Sequence, residues 1–428
     1  VERGVITLEE ARSVQLDGEA ALDLEDPLLE LLVAEGVISA ADAAAVQRAS
    51  QPEDASSPPA VEETEAEASW SDRIEIKGDV RMRYEGFSQD DSFHDDRRDR
   101  FRVRIRAGIE AAITDHITFG LQLRNGDPDD PVSNNTSFDG AFQFKDFNLA
   151  QGYLDIEATD RMDVIVGKFD AKRRWTVSDL QWDDDVTIEG SLQNLVLARG
   201  DGGIRGVDLV AYQLILEESG SGRDAYTFGG QLRADLRPGD HDRLGLGVGF
   251  DAWDNPQAVA DLTLSGRLKG NAVTNLLDQD GQLVSDFEIV NLFAEWKHTA
   301  SPRWPVKLSL FYYTNLGAKG IAEDQDTGAF GRLQVGDYKD PGQVAFRYSY
   351  YYSEPDALFY VFTQSDTSRA SDVKAHRLDL RAGATFAEYA LVADPTDDQT
   401  RDLATYYARG DYTIAPGIEF MSELQVLE

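Results

Sequence analysis

From Trp70 onward the chain is built of runs in which every second residue is apolar. In "RFRVRIRAGIEAAIT", Phe101, Val103, Ile105, Ala107, Ile109, Ala111 and Ile113 share one parity. Arg102, Arg104 and Arg106, with Arg100 just before the run, share the other. A period of two is that of a β-strand with one apolar and one polar face. "RIEIKGDVRMRYEG" sets Ile74, Ile76, Val80, Met82 and Tyr84 against Lys77, Asp79, Arg81 and Arg83 in the same way. The scheme returns in "HITFGLQLRNGD", "YTFGGQLRADLRP", "RLGLGVGFDAW", "VKLSLFYYTN", "QVAFRYSYYYS" and "HRLDLRAGATF". At roughly 3.3 Å per residue the arginine-bearing run extends for about 40 Å, well beyond the usual strand of about five or six residues. That length suits a strand crossing a bilayer, with the apolar face on lipid and the arginines toward a watery lumen. A long edge strand of a soluble sandwich would show the same alternation.

The breaks between runs decide between these. Tight ones fall at 114–116, 159–161, 237–242, 300–303 and 339–342, and long polar ones at 87–97, 126–144, 171–186, 254–284 and 354–372. Short and long alternate, the rhythm of an up-and-down barrel with short turns at one rim and long loops at the other. The expected fold is an all-β, transmembrane, antiparallel up-and-down β-barrel over residues 70–428. It has about sixteen strands, within a range of roughly fourteen to eighteen.

Residues 1–50 form a different unit. "GVITLEEARSVQ" at 4–15 returns as "GVISAADAAAVQ" at 36–47, each with an N-cap Thr7 or Ser39 and an acid three residues on. With "DPLLELLVAEG" between them, about three short helices are predicted, joined to the barrel by an acidic, Pro- and Ser-rich linker over 51–69.

Composition narrows the function. A formal net charge of −37 argues against nucleic acid, whose phosphates would be repelled. The absence of cysteine removes disulfides, thiolate metal sites and cysteine nucleophiles. No apolar stretch is long enough for a transmembrane helix, and a mean hydropathy of −0.40 does not count against a barrel, because alternation dilutes every window. The chain starts at Val1 without Met, so a processed or partial form is expected. His94, His116, His241, His298 and His376 lie scattered, and no zinc-protease, nucleophile-elbow or P-loop motif occurs, so neither an enzyme nor a cofactor is expected. "GDGGIRG" at 200–206 reads as a turn between strands. The acid clusters Asp95–Asp96 and Asp127, Asp129, Asp130 offer at most weak divalent-cation sites in outer loops, and no defined metal site is expected.

Trp70 to Gly190 carries a resemblance. "IEIKGDVRMRYEG", "RDRFRVRIRAGIEAAITDHITFGLQLRNGD" and "YLDIEATDRMDVIVGKFDAKRRWTVSDLQWDDDVTIEG" resemble the putative porin family of Gram-negative outer membranes, with its G-D-x-R-x-R-Y-E first strand, Arg-rich second strand and G-K-F…W-D segment. "GVITLEEA" is similar to the N-terminal part of those porins. The resemblance implies a trimeric outer-membrane channel for passive diffusion of small solutes, with no defined substrate and no catalytic residue. The helices would then be periplasmic, with outer-membrane lipid and further copies of the chain as partners.

The first three strands would present Lys77, Arg81, Arg83, Arg100, Arg102, Arg104, Arg106 and Arg124 to the pore, favouring anions as basic rings do. Eight bases so close need counter-charges or water between them. Asp179, Asp183, Asp184 and Asp185, in the 171–186 loop, would face that wall if the loop folds inward, as the resemblance to general porins implies. The alternative is a structural barrel whose N-terminal helices bind a periplasmic or cell-wall partner and tether the outer membrane.

Overall fold

The computed structural model describes residues 33, 34, 39, 73–91, 94–220, 222–339, 343–365, 372–382, 385–386, 388–393, 405–413 and 418–427. The chain divides into Val1–Ala68 and Ser69–Glu428. In the first unit only 33 and 34, both helical, and 39 are described, so the expected helices and the linker over 51–69 lie outside the described residues.

The second unit is a meander. Its early strands are β1 (Ile74–Asp91), β2 (His94–Thr114), β3 (Ile117–Asn125), the two-residue β4 (Thr136–Ser137), β5 (Phe147–Thr159), β6 (Met162–Asp170) and β7 (Thr187–Arg199). There follow β8 (Ile204–Glu217), β9 (Ala225–Leu236), β10 (Asp242–Asp254), β11 (Glu288–His298), β12 (Val306–Asn315), β13 (Thr327–Gly336), β14 (Val344–Ser353) and β15 (Val373–Ala382). Short β16 (Thr385–Phe386) and β17 (Glu388–Ala393) precede β18 (Thr405–Thr413) and β19 (Ile418–Leu427). All belong to one 19-stranded sheet. With short β4, β16 and β17 set aside, the count agrees with the about sixteen expected from the sequence. Neighbours from β1 to β15 pair antiparallel, with β3 passing directly to β5. β1 is hydrogen-bonded along both edges, to β2 and to β18. The C-terminal strands depart from up-and-down order, since β17 pairs with β19 in parallel.

Connections alternate in length. β2–β3 and β5–β6 turn within two residues, where Thr114 and Thr159 each accept a bond from the backbone N–H two residues on, at 3.2 Å. The residues 200–203 of the glycine-rich segment likewise form the β7–β8 turn. At the opposite rim lie 126–146, 171–186, 255–287, which holds α1 (Pro256–Leu264), and 354–372. One expected loop is absent: 87–97 is not a polar excursion but the continuing β1–β2 hairpin, registered out to Asp91 opposite His94. Polar side chains alone signalled a loop there, and composition does not distinguish a loop from a strand.

Outward side chains are apolar and exposed, among them Ile76, Phe101, Leu246, Val248, Leu292, Leu310 and Phe346. Val103, of the same parity, is only 9 % exposed, at the point where β4 pairs with β2 and Asn125 donates to its carbonyl. The inner face is not uniformly polar. Ile289, Phe293, Phe311, Tyr313, Phe330 and Tyr351 of β11–β14 form one buried cluster with Leu180, Val259, Leu358 and Phe359 of the long connections. The alternation of β11–β14 therefore has apolar residues on both parities near the long-loop rim, where the connections fold back over the strands and bury them. Glycine on β10 makes room: a Cβ at Gly247 would meet the Phe293 ring at 2.2 Å.

Candidate functional site

Register places the basic residues of β1–β3 on one surface. Arg81 lies opposite Arg104, Arg83 opposite Arg102, and Arg106 opposite Arg124. Like charges directly across a ladder repel, so such a surface persists only with partners. Asp79 is the first: Arg104 Nη2 donates to it at 2.7 Å, and Arg106 binds its other oxygen. Lys77 Nζ donates to Glu110 at 2.7 Å, and Tyr153 and Arg173 converge on the same carboxylate. The 133–135 segment supplies more. Arg81 donates to Asn135 Oδ1 at 2.8 Å, and Arg102 to Ser133 Oγ at 3.1 Å and the Asn135 carbonyl at 2.8 Å. Arg83 and Arg102 are buried, and Arg100 is half-buried on the same side of β2. Part of this basic face thus holds loop to strand, and the rest presents charge.

The 171–186 connection begins where Asp170 accepts the Lys172 N–H at 2.9 Å, starting a single 3-10 turn over Ala171–Arg173. Its apolar side chains Trp175, Leu180 and Trp182 are buried. Thr176 exchanges two bonds with the Gln231 amide on β9, at 2.8 and 3.0 Å. Ser178 meets the Tyr313 hydroxyl of β12 at 2.6 Å, and Gln181 Nε2 donates to Asp251 of β10 at 2.6 Å. All these contacts fall on the inner parity, so the loop lies against the inside of the sheet.

Its acids do not gather opposite the arginines. Asp185 lies on the arginine face itself: its carbonyl accepts from Arg124 at 2.7 Å, its carboxylate is 3.9 Å from Arg104, and Asn134 donates to it at 2.8 and 3.1 Å. Asp179 pairs with Arg332 of β13 and with Lys172 at 3.0 Å, while Asp184 also binds Lys172. Asp183 accepts from the Ser365 N–H at 2.7 Å. The loop therefore spans from β2–β3 to β13, with an anchoring acid at either end. Burial alone would raise the Asp185 carboxyl, but Arg104 and Arg81, with the Asn134 N–H, outweigh it and hold it at about 2. Asp179 is likewise raised by burial but held well below the usual carboxylate range by Arg332 and Lys172.

Toward the short-turn rim two recesses open on the same side. One of about 270 Å³ is lined by Arg173, Arg174, Asn194 and Arg233. Another of about 490 Å³ is lined by Arg205, Arg243, Glu295, Lys297 and Lys307. Sequence reasoning placed Asp79 on the polar face without its partners and missed Gln231, Arg332 and these later bases, although Gln231, Arg233, Arg243, Lys297, Lys307 and Arg332 share the inward parity of their strands. Asp127 and Asp129, taken as a candidate cation cluster, are bridged by Lys269 at 2.7 and 3.4 Å, and no group of three metal-ligating side chains occurs among the described residues.

A long-stranded antiparallel meander with an apolar outer face has the pattern of a transmembrane β-barrel. Residues 91–279 match the family described as putative porin. Over that segment the chain is accordingly similar to porins. Among solved structures, a triple mutant of Rhodopseudomonas blastica porin is 12% identical, with 81% of this chain and 98% of that chain covered and a TM-score of 0.39. The high-pH structure of Pseudomonas putida OprB is 12% identical, covers 82% of this chain and 92% of that chain, and has a TM-score of 0.45. No curated protein matches the chain.

Proposed function

We propose that the chain forms a water-filled channel through which small hydrophilic solutes and ions diffuse passively. Its constriction lies between the basic face of β1–β3 and the 171–186 loop. The observation that carries this is the span of that loop, tied at Asp185 to Arg124 on one side and at Asp179 to Arg332 on the other. Water in such a lumen hydrates charges that a dry core could not hold, so the bases remain ionised and set the local potential. Small anionic or zwitterionic solutes are the favoured class, with Asp79 and Asp185 tempering the preference. Assembly as a homotrimer and a periplasmic location for residues 1–50 follow from the porin reading. Ion-sized current steps from purified protein in planar bilayers test it.

A second reading has one observation in its favour. The buried cluster that joins Leu180, Val259 and Phe359 to β11–β14 fills part of the interior. A plugged barrel of that kind, acting as a tether through its N-terminal helices, gives no current steps in the same experiment.

A further inference from the structure

Among the described residues the outward parity is apolar along most of the sheet, with polar interruptions at Lys374 and His376 of β15 and, more extended, on β6–β8. On β6–β8 the outward positions include Lys168, Glu189, Ser191, Gln193 and Gln213. Register makes them a single strip: Lys168 lies opposite Glu189, Val166 opposite Ser191, and Ser191 opposite Gln213. Their outward direction follows from exposed Val166, Leu195 and Leu209 on the same parity and from buried Ile165, Leu192 and Val210 on the other. The side chains bond along the strip: Lys168 to Glu189 at 2.6 Å, Gln193 to Ser191 at 3.0 Å, and Ser191 to Gln213 at 3.5 Å.

An apolar band about 25 Å tall takes in about five outward residues of a tilted strand. On β7, counted from the short-turn rim, these are Leu197, Leu195, Gln193, Ser191 and Glu189, so the strip enters the band instead of staying at its border. On β9 and β10 the corresponding positions are Leu, Val, Phe, Ala and Gly, and on β12 they include Leu310, Tyr312 and Thr314. Hydrocarbon offers these amides and charges nothing to bond with, whereas a protein surface does. The strip is also flat, since Gly152, Ala211 and Gly230 lie on the outward side beside it.

We propose that this strip is buried against a second copy of the same chain. It is its own chemical complement. Each Gln amide and the Ser191 hydroxyl both donates and accepts, and Lys168 with Glu189 presents both signs. The Gln213 amide donor and the Gln193 amide acceptor have no partner among the described residues, leaving one of each for a neighbouring copy. Exposed Leu154, Val166, Leu195, Leu209 and Phe228 flank the strip and supply an apolar border that packs equally well on protein. The proposal rests on the reading of the outer face as membrane-facing, and the test separates the two.

Because the chain has no cysteine, single cysteines can be introduced by Gln193→Cys and by Leu292→Cys, which lies on β11 away from the strip. Each carries a fluorophore in full-length purified protein reconstituted alone into phosphatidylcholine vesicles, with brominated acyl chains or aqueous iodide as quencher. The label at 193 is expected to be several-fold less quenched by brominated lipid than the label at 292, and protected from iodide. Equal quenching by lipid, or strong quenching of the 193 label by iodide, overturns the interface. Iodide quenching of the 292 label with no effect of lipid would instead sink the membrane reading. Shielding at 193 seen only in native membranes, and not with the purified chain, would also overturn the second copy as occupant. Independently, the pair Ser191→Trp and Gln213→Trp should convert the detergent-solubilised oligomer to monomer without altering single-channel steps; an unchanged mass overturns the proposal.

Discussion

Trp182→Ala should loosen the 171–186 loop and widen the channel. The indole is 2 % exposed, and its ring centroid lies 5.1 Å from Phe362, 5.4 Å from Trp175 and 6.1 Å from Trp253. Those three rings belong to the same loop, to β10 and to the 354–372 connection, so truncation empties the point where three segments meet. Removing a buried Trp typically costs about 3–5 kcal/mol, transfer and cavity terms together. Because local seating of the loop needs the indole whereas the antiparallel ladder does not, most of that loss should fall on the seated-to-unseated equilibrium. The seated population is then disfavoured by about a hundredfold to several thousandfold, at 1.4 kcal/mol per factor of ten. The ties of Asp179 to Arg332 and Asp185 to Arg104 remain, so the loop should fluctuate more than depart. Single-channel recording should show larger, noisier open currents, while heat-modifiable mobility on a gel confirms an intact barrel. An intact barrel with unchanged conductance and noise would refute the placement of this loop across the conducting path.

Further expectations follow from the same geometry. Asp79→Asn removes the carboxylate shared by Arg104 and Arg106, so the reversal potential should move toward anion preference; movement toward cations would contradict the charge assignment. Neutralising Arg102, Arg104 and Arg106 together should move it toward cations and weaken its salt dependence, and unchanged selectivity would remove them from the constriction. Leu292→Arg, outward on β11, should cost about 2–4 kcal/mol near the midplane, read as a loss of folded protein in vesicles, whereas normal insertion would reverse the facing of that strand. For pH, the Asp185 carboxyl titrates near 2 in the folded chain against roughly 3.9 unfolded. Its contribution is complete above the unfolded value and is lost as pH falls through the folded one. Conductance should therefore hold between pH 8 and about 4 and become unstable only below that, so loop release already near pH 6 would argue against the Arg104 and Arg81 partnership.

Most of the architecture was legible because a barrel writes itself into the chain twice, as a period of two and as an alternation of loop lengths. The arginines of β2 and the TDH and TDR turns needed nothing beyond that pattern. The 87–97 segment was misread because composition distinguishes polar from apolar and not loop from strand. Val103 shows the limit of parity: outward by alternation, it is nevertheless buried where β2 pairs with β4, a two-residue strand with no periodic signal. The partners of the basic face were hidden for a different reason. Asp79 was visible on the same strand, but its pairing with Arg104 and Arg106 depends on register. Arg332 could be linked to Asp179 only after the loop was seen to span the interior. The aromatic inner positions of β11–β14 pass for membrane-facing residues in the sequence, since burial under a loop and exposure to lipid select the same side chains.

The central claim is most directly tested by the reversal potential of the purified full chain in a planar bilayer under asymmetric KCl. Discrete ion-sized steps are predicted, with a reversal potential displaced modestly in the direction of chloride preference. A bilayer that accepts folded protein yet shows no steps would contradict the channel, and steps with firm cation preference would contradict a constriction governed by the basic face of β1–β3.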